Sequence, residues 1–271
     1  MQESAGDLSE RVRVRIVPTG HVIAWWLGGA GFIFKTAAGT QLYVDPYLSD
    51  IVNDIFGQAR AFPAPIPAED AQPDLLICTH WHEDHLDPGS VPVIAKNNPS
   101  AQFMMPATAM ARALSWGVPR NQITTLKAGQ CLSFQDIRVS AVAARHNAGV
   151  EGWEVYDGVC LILEIDGIKI FFSGDTEYDT SLRKLRPVGV QVAFLCINGV
   201  GGNMNAHEAA LLGWQLGAHT LVPMHHYLWK SNVASDEATL DPQLLQDTYL
   251  KLGGQGRVII PVVGQEIVFA R

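Results

Sequence analysis

Apolar residues in this chain fall in short runs broken by glycines and polar turns, the spacing of strands rather than of long helices. Residues 11–17 alternate arginine with valine or isoleucine and predict a strand after a polar leader, residues 1–10, expected to be flexible. Residues 22–27, 32–35 and 41–44 predict further strands, so the amino-terminal third reads as sheet. Residues 107–116 read as a helix stopped by Gly117, and residues 123–126, 131–134 and 137–143 return to strands. Residues 159–165 and 168–172 flank Asp166-Gly167, a pair that tolerates positive φ and so predicts a hairpin. Strand and helix then alternate. A strand at 192–197 leads to a helix over 206–216 with Asn205 as its cap, Glu208 reaching back and Gly217 beyond its end. A strand at 220–223 leads to a helix after Asp241-Pro242 that ends near Gly253, and strands at 258–263 and 267–270 follow. This order predicts an α/β fold of two similar halves meeting face to face with helices outside, in one domain over residues 1–271. The proline-rich stretch 62–67 is short enough to be a loop near the site rather than a linker.

Composition narrows the function classes. With 271 residues, 48% of them hydrophobic, the chain can fill a substantial core. A formal net charge of -8 without a Lys/Arg block argues against nucleic acid, whose binding depends on phosphate neutralisation. No apolar run has the length of a transmembrane span, and the first residues lack the basic and apolar regions of a signal peptide, so the expected location is cytoplasmic. Cys78, Cys131, Cys160 and Cys196 lie far apart without C-x-x-C pairing and are expected as buried free thiols, neither bridged nor metal-bound.

The chemistry concentrates in Thr79-His80-Trp81-His82-Glu83-Asp84-His85, directly after the apolar stretch 74–78. In an extended segment His80 and His82 share a side and can converge on one cation, while Trp81 and Glu83 point elsewhere. Asp84 and His85 follow at the turn, where a second cation could sit. His146, Asp175 and His225 each stand just past the carboxyl end of an apolar run, where loops of an open α/β sheet converge. Alone, each has a plain reading as a solvated or turn residue; together with the first cluster they make a candidate metal centre.

On these residues the chain resembles the metallo-β-lactamase superfamily, whose H-x-H-x-D-H motif matches His80, His82, Asp84 and His85 and whose later ligands match His146, Asp175 and His225. Ile197-Asn198-Gly199, Gly202-Asn203-Met204-Asn205 and Pro223-Met224-His225 resemble the branch that contains L-ascorbate-6-phosphate lactonase, although His226-Tyr227 stand where tyrosine and aspartate often follow. The resemblance implies an αβ/βα sandwich of two mixed sheets with helices on the outer sides. It implies one ion on His80, His82 and His146, a second on Asp84, His85 and His225, Asp175 bridging, and Asp45 supporting the ligands from behind. The nitrogen and oxygen donors suit zinc foremost, and also manganese or iron. The implied activity is a metal-dependent hydrolase that uses a hydroxide activated by two divalent ions on a small ester-like substrate, lactonase-like, with Asp84 and His225 as catalytic residues. A phosphodiesterase or phospholipase D-type hydrolase, a mononuclear-iron dioxygenase and a non-catalytic metal-binding scaffold remain as alternatives. Arg145, Asn203 and His226 are expected at the substrate or behind the ligands, and His207 as a solvated helix residue. The expected partner is a small molecule, an anionic one included, and a homo-oligomer stays open.

Overall fold

Two seven-stranded sheets face each other in the computed structural model, which describes residues 5–230 and 240–271. The first holds, side by side and in order, β1 (His21–Gly28), β2 (Gly31–Lys35), β3 (Gln41–Val44), β4 (Leu75–Ile77), β5 (Gln102–Met105) and β6 (Ile123–Thr125). The second holds β7 (Cys131–Phe134), β8 (Ile137–Ala143), β9 (Val159–Ile165), β10 (Ile168–Phe172), β11 (Val192–Cys196), β12 (Thr220–Met224) and β13 (Arg257–Val258). The last strand, β14 (Glu266–Ala270), crosses back to the first sheet and pairs antiparallel with β1, placing Ala270 against His21. The sheets are therefore not two consecutive halves of the chain. The run 258–263 is also shorter as a strand than its apolar pattern suggests: pairing in β13 ends at Val258, and Val263 instead bridges to Trp26 of the first sheet.

The helices are α1 (Ala5–Val14), α2 (Ile51–Phe56), α3 (Val91–Asn97), α4 (Ala107–Ser115), α5 (Ala206–Leu216) and α6 (Pro242–Lys251). β1 shows no polar alternation because both its faces are covered. Ile23, Trp25 and Leu27 join a core with Leu8 and Val12 of α1, Ile94 of α3 and Ala109 of α4. Val22, Ala24 and Trp26 join the core that includes the second sheet together with Ala209 and Leu212 of α5 and Leu245 of α6. Between the sheets, Phe32 and Phe34 of β2 meet Phe194 of β11 edge-on, with ring centroids 4.8 and 5.2 Å apart. Such pairs contribute about 0.5–1.5 kcal/mol beyond their buried area.

Residues 11–17 are not a strand: residues 5–14 form α1. The helix wins because Leu8 and Val12, one helical turn apart, bury against the first sheet, while Val14 and Ile16 of the apparent alternation are exposed. The end of α1 is held by a buried amine from β2: Lys35 Nζ donates to Val12 O at 2.7 Å and Arg13 O at 2.8 Å, satisfying carbonyls that lack helical partners. Cys78, Cys160 and Cys196 are buried free thiols, but Cys131 is exposed, because β7 is the outermost strand of its sheet. The pieces without a sequence signal are short: α2, α3 and β5.

The hairpin turn follows its sequence, with Asp166 at φ 51° and Gly167 at φ 79°. So does α5, where Asn205 Oδ1 accepts from the backbone N–H of His207 and Glu208 at 3.0 Å each, and Glu208 Oε2 accepts from Asn205 N at 3.0 Å. Replacing Asn205→Ala removes this reciprocal cap and is expected to lower stability by about 1 kcal/mol, seen as a lower urea midpoint with an unchanged slope.

Candidate metal centre

Asp45 follows β3, His80 follows β4, His146 follows β8, Asp175 follows β10 and His225 follows β12, so the strand ends gather them on one rim of the sandwich. The Thr79–Leu86 segment is a turn, not the extended stretch its spacing suggests. His85 N and Leu86 N both donate to His82 O, at 3.0 and 2.7 Å. The turn brings Nε2 of His80 to 2.9 Å from Nδ1 of His82 and returns His85 beside His80, ring centroids 4.1 Å apart. Trp81 and Glu83 do point elsewhere: Trp81 joins the outer core, and Glu83 pairs at 3.0 Å with Arg112, whose guanidinium lies 3.9 Å over the Trp81 ring.

All seven candidate ligands meet in three overlapping groups, His80/His82/His146, His80/His85/Asp175 and Asp84/His85/His225, each with its ligand atoms within 4.8 Å of one another. Asp175 stands between them: one oxygen is 3.5 Å from His146 Nε2, the other 3.4 Å from His85 Nε2 and 3.5 Å from His225 Nε2. Hydrogen bonding alone does not account for the contacts. Nε2 of both His80 and His146 approach the same Nδ1 of His82, at 2.9 and 3.1 Å, and Nε2 of His85 faces Nε2 of His225 at 3.2 Å. Each facing pair has room for one proton, so lone pairs converge, as they would on a cation. The donors are imidazole nitrogens and carboxylate oxygens, a set that fits zinc, manganese or iron.

Groups behind the cluster fix its orientation. Asp45, fully buried, accepts from Thr79 N at 2.7 Å and Thr79 Oγ1 at 2.6 Å and from Nδ1 of His85 at 2.8 Å, which turns Nε2 of His85 to the centre. Trp153 O lies 3.1 Å from Nε2 of His82, leaving Nδ1 to face inward. The Asn198 amide nitrogen stands 3.2 Å from Nδ1 of His225. Asp45 and His225 both have positive φ, 46° and 61°, a conformation costly for residues with side chains and common at functional sites. At Gly174, beside Asp175, an added Cβ would lie 2.9 Å from Thr79 Cβ, so only glycine lets the end of β10 approach this closely.

Two buttresses escape sequence reasoning. Asn198 lies in a motif that marks the branch, but nothing in the motif assigns it a contact. Asp87, fully buried, accepts from the backbone N–H of Leu48, Ser49 and Gly89 and so ties the segment after Asp45 to the histidine turn.

The side chains of the site divide by the direction of their pKa shifts. Burial keeps His80 and His82 neutral by pushing their pKa values down, and pushes His146 down to about 4. For His85, burial acts the same way but is outweighed by Asp175, Asp84 and Asp45, which hold its pKa well above the usual value. His225 is likewise raised, by Asp175 and Asp84 against burial. Burial would raise Asp84 and Asp175, yet the neighbouring histidines, His85 foremost for Asp84 and His225 for Asp175, hold both carboxyls below the ordinary range.

A cavity of about 380 Å³ opens over this floor, lined by His82, Asp84, His146, Asp175 and His225 together with apolar side chains. The remaining sequence candidates lie outside its wall. Arg145 is largely exposed and 3.7 Å from Glu177. Asn203 is buried behind Asn198, donating to its Oδ1 at 2.8 Å. His226 is buried against the Trp26 ring, centroids 4.9 Å apart. His207 is exposed, as expected, with Nδ1 2.9 Å from Thr248 Oγ1.

Among proteins of known sequence, the chain is 24% identical over 269 residues to the Escherichia coli O139:H28 protein named probable L-ascorbate-6-phosphate lactonase, covering 84% of this chain and 76% of that one. Among solved structures it is similar to an isothiocyanate hydrolase from Delia radicum gut bacteria, with TM-score 0.70 and 20% identity over 92% of this chain and 99% of the other. A metallo hydrolase of the archaeon Ignicoccus hospitalis superposes with TM-score 0.68 and 20% identity, covering 93% and 99% of the two chains. The structural likenesses establish a shared fold. The beta-lactamase superfamily domain model matches residues 24–225. Because that match runs from within β1 to His225 itself, the chain belongs to the beta-lactamase superfamily, with the two-sheet metallo-β-lactamase fold.

Proposed function

We propose that the protein is a metal-dependent hydrolase whose centre takes two divalent ions, zinc foremost, and opens an ester-like bond in a small molecule, a lactone above all. The observation that carries this reading is the convergence of seven buried or half-buried His and Asp side chains, in groups with ligand atoms within 4.8 Å, on the floor of a small-molecule-sized cavity. Similarity to a protein named as a lactonase supports the choice of bond.

His80, His82 and His146 would hold one ion and Asp84, His85 and His225 the other, with Asp175 between. When bound, the ions make hydroxide available near neutral pH and polarise the substrate carbonyl. Asp84, at 19% side-chain exposure, reaches cavity space, and His225 Nε2 at 3.2 Å fixes its carboxylate. Asp84 orients the attacking water, accepts its proton and passes it to the leaving oxygen. Asp45 keeps His85 in the ligating orientation, so that little rearrangement accompanies binding.

Chelation is expected to abolish lactone hydrolysis, and two equivalents of zinc per chain to restore it. Asp84→Asn should lower kcat/KM about 10²–10⁴-fold with the circular dichroism spectrum unchanged. Faster turnover of bis(p-nitrophenyl) phosphate than of any lactone would assign a phosphodiesterase instead, and oxygen uptake with a thiol substrate an iron dioxygenase. Asp45→Asn, which leaves every proposed ligand in place, should weaken zinc binding about 10–100-fold in a chelator competition.

Protons compete with metal for the same atoms. His85 and His225 hold theirs to higher pH, whereas burial already keeps His80, His82 and His146 neutral. As pH falls from about 8 to 5, zinc should therefore leave the Asp84/His85/His225 position first. At fixed free zinc, bound metal per chain should step from two to one before it falls further.

A further inference from the structure

We infer that the preferred substrate is uncharged and carries an apolar acyl or aryl arm held by the cavity wall, and that an anionic sugar-phosphate lactone is disfavoured. The inference rests on the hydrolase reading for the reacting bond, but its basis is the wall rather than the metal centre. Besides the candidate ligands the wall carries Val52, Phe56, Val150, Trp153, Val200 and Trp229, and its further uncharged polar groups, Gln58, Asn147 and Asn198, are amides. Phe56 and Trp153 come from separate segments, are 42% and 41% exposed, and set their ring centroids 5.4 Å apart. Neither belongs to a core cluster: Trp153 rests its ring on Trp81, centroids 6.3 Å apart, and leaves the rest of it to the cavity, and exposed aromatics grouped at a cavity mark a binding surface.

The charges point the same way. Among the described residues lining the cavity, none is lysine or arginine. The one acidic side chain there besides Asp84 and Asp175 is Glu83, already paired with Arg112. Arg145 adjoins His146 in sequence but lies 3.7 Å from Glu177, and Lys230 adjoins Trp229 but is not part of the wall. Residues 231–239, Ser-Asn-Val-Ala-Ser-Asp-Glu-Ala-Thr, contain no basic residue. A phosphate on the substrate arm would lose its water against valine, phenylalanine and tryptophan without a counter-charge. The positive charge left to it would be the metal pair, where it would displace the carbonyl that must react. An apolar arm has no such conflict, and its burial adds affinity with each methylene.

The test separates the arm from the chemistry. On zinc-loaded full-length protein, a series of γ-lactams with 5-alkyl chains from methyl to hexyl, which resist hydrolysis, is titrated by tryptophan fluorescence beside the matching γ-lactones as substrates. A partner lactam whose chain ends in phosphate completes the set. Affinity is expected to rise about fourfold per methylene, equivalent to ~0.8 kcal/mol, and the phosphate-ended lactam to bind at least tenfold more weakly than its neutral counterpart. Phe56→Ala should flatten the chain-length dependence, and Val200→Lys should narrow or reverse the preference for the neutral compound. Flat affinity across the series, no lactam binding, or tighter binding of the phosphate-ended lactam overturns the inference. A chain-length-dependent lactam affinity with no turnover of any lactone or ester upholds the apolar arm site and removes the hydrolase reading instead.

Discussion

The geometry of the centre depends on one buried carboxylate. Asp45 leaves the end of β3 at positive φ and binds three groups at once: the backbone and hydroxyl of Thr79, and the rear nitrogen of His85. Thr79 opens the histidine turn, and its carbonyl accepts from Val159 N at 3.0 Å, at the start of β9 in the opposite sheet. A single side chain thus registers the turn against both sheets and aims a ligand into the cleft between them. Leaving a partner of such a network unsatisfied in the interior costs more than the bond itself contributes, so the network holds the turn in place beside the packing of Trp81 and Leu86.

The same residues carry an electrostatic conflict that a cation would resolve. Five imidazoles and two carboxylates crowd the floor, with the Asp45 carboxylate behind them. Burial lowers the pKa values of three of those imidazoles, and the acids raise those of the other two. Facing nitrogens at 2.9 to 3.2 Å are tolerable when protons are shared, and more favourable when a positive ion takes the lone pairs. Binding that favours the native state adds to its stability by mass action, so the arrangement links folding to occupancy.

Local patterns in the sequence foretold what local physics decides. Asn205, Glu208 and Gly217 bound α5, Asp166-Gly167 turns the hairpin, and the seven candidate ligands lie at the strand ends where the apolar runs stop. What failed depended on distant surfaces. Val12, Val14 and Ile16 alternate as a strand would, and the helix wins because Leu8 and Val12 find a face of the first sheet and Lys35 finds the helix end. His80 and His82 converge through a turn that a two-residue spacing cannot distinguish from an extended segment. Phe56 and Trp153 have no periodicity that would announce a pocket, because they meet only after the loops close over the sheets.

The wall of the cavity is assembled from segments outside the strands: Val52 and Phe56 from α2, Val150 and Trp153 between β8 and β9, Val200 between β11 and α5, and Trp229 beyond β12. Some of these segments could change length or composition over evolutionary time while the reactive machinery stayed as it is, letting one scaffold diversify its diet of compounds. The stretches bearing Trp153 and Val200 are exceptions, since the Trp153 carbonyl lies 3.1 Å from the His82 ring and Asn198, two residues before Val200, stands 3.2 Å from the His225 ring. Divergence there would tug on catalysis and selectivity together, so those loops are where a change of menu carries the greatest risk.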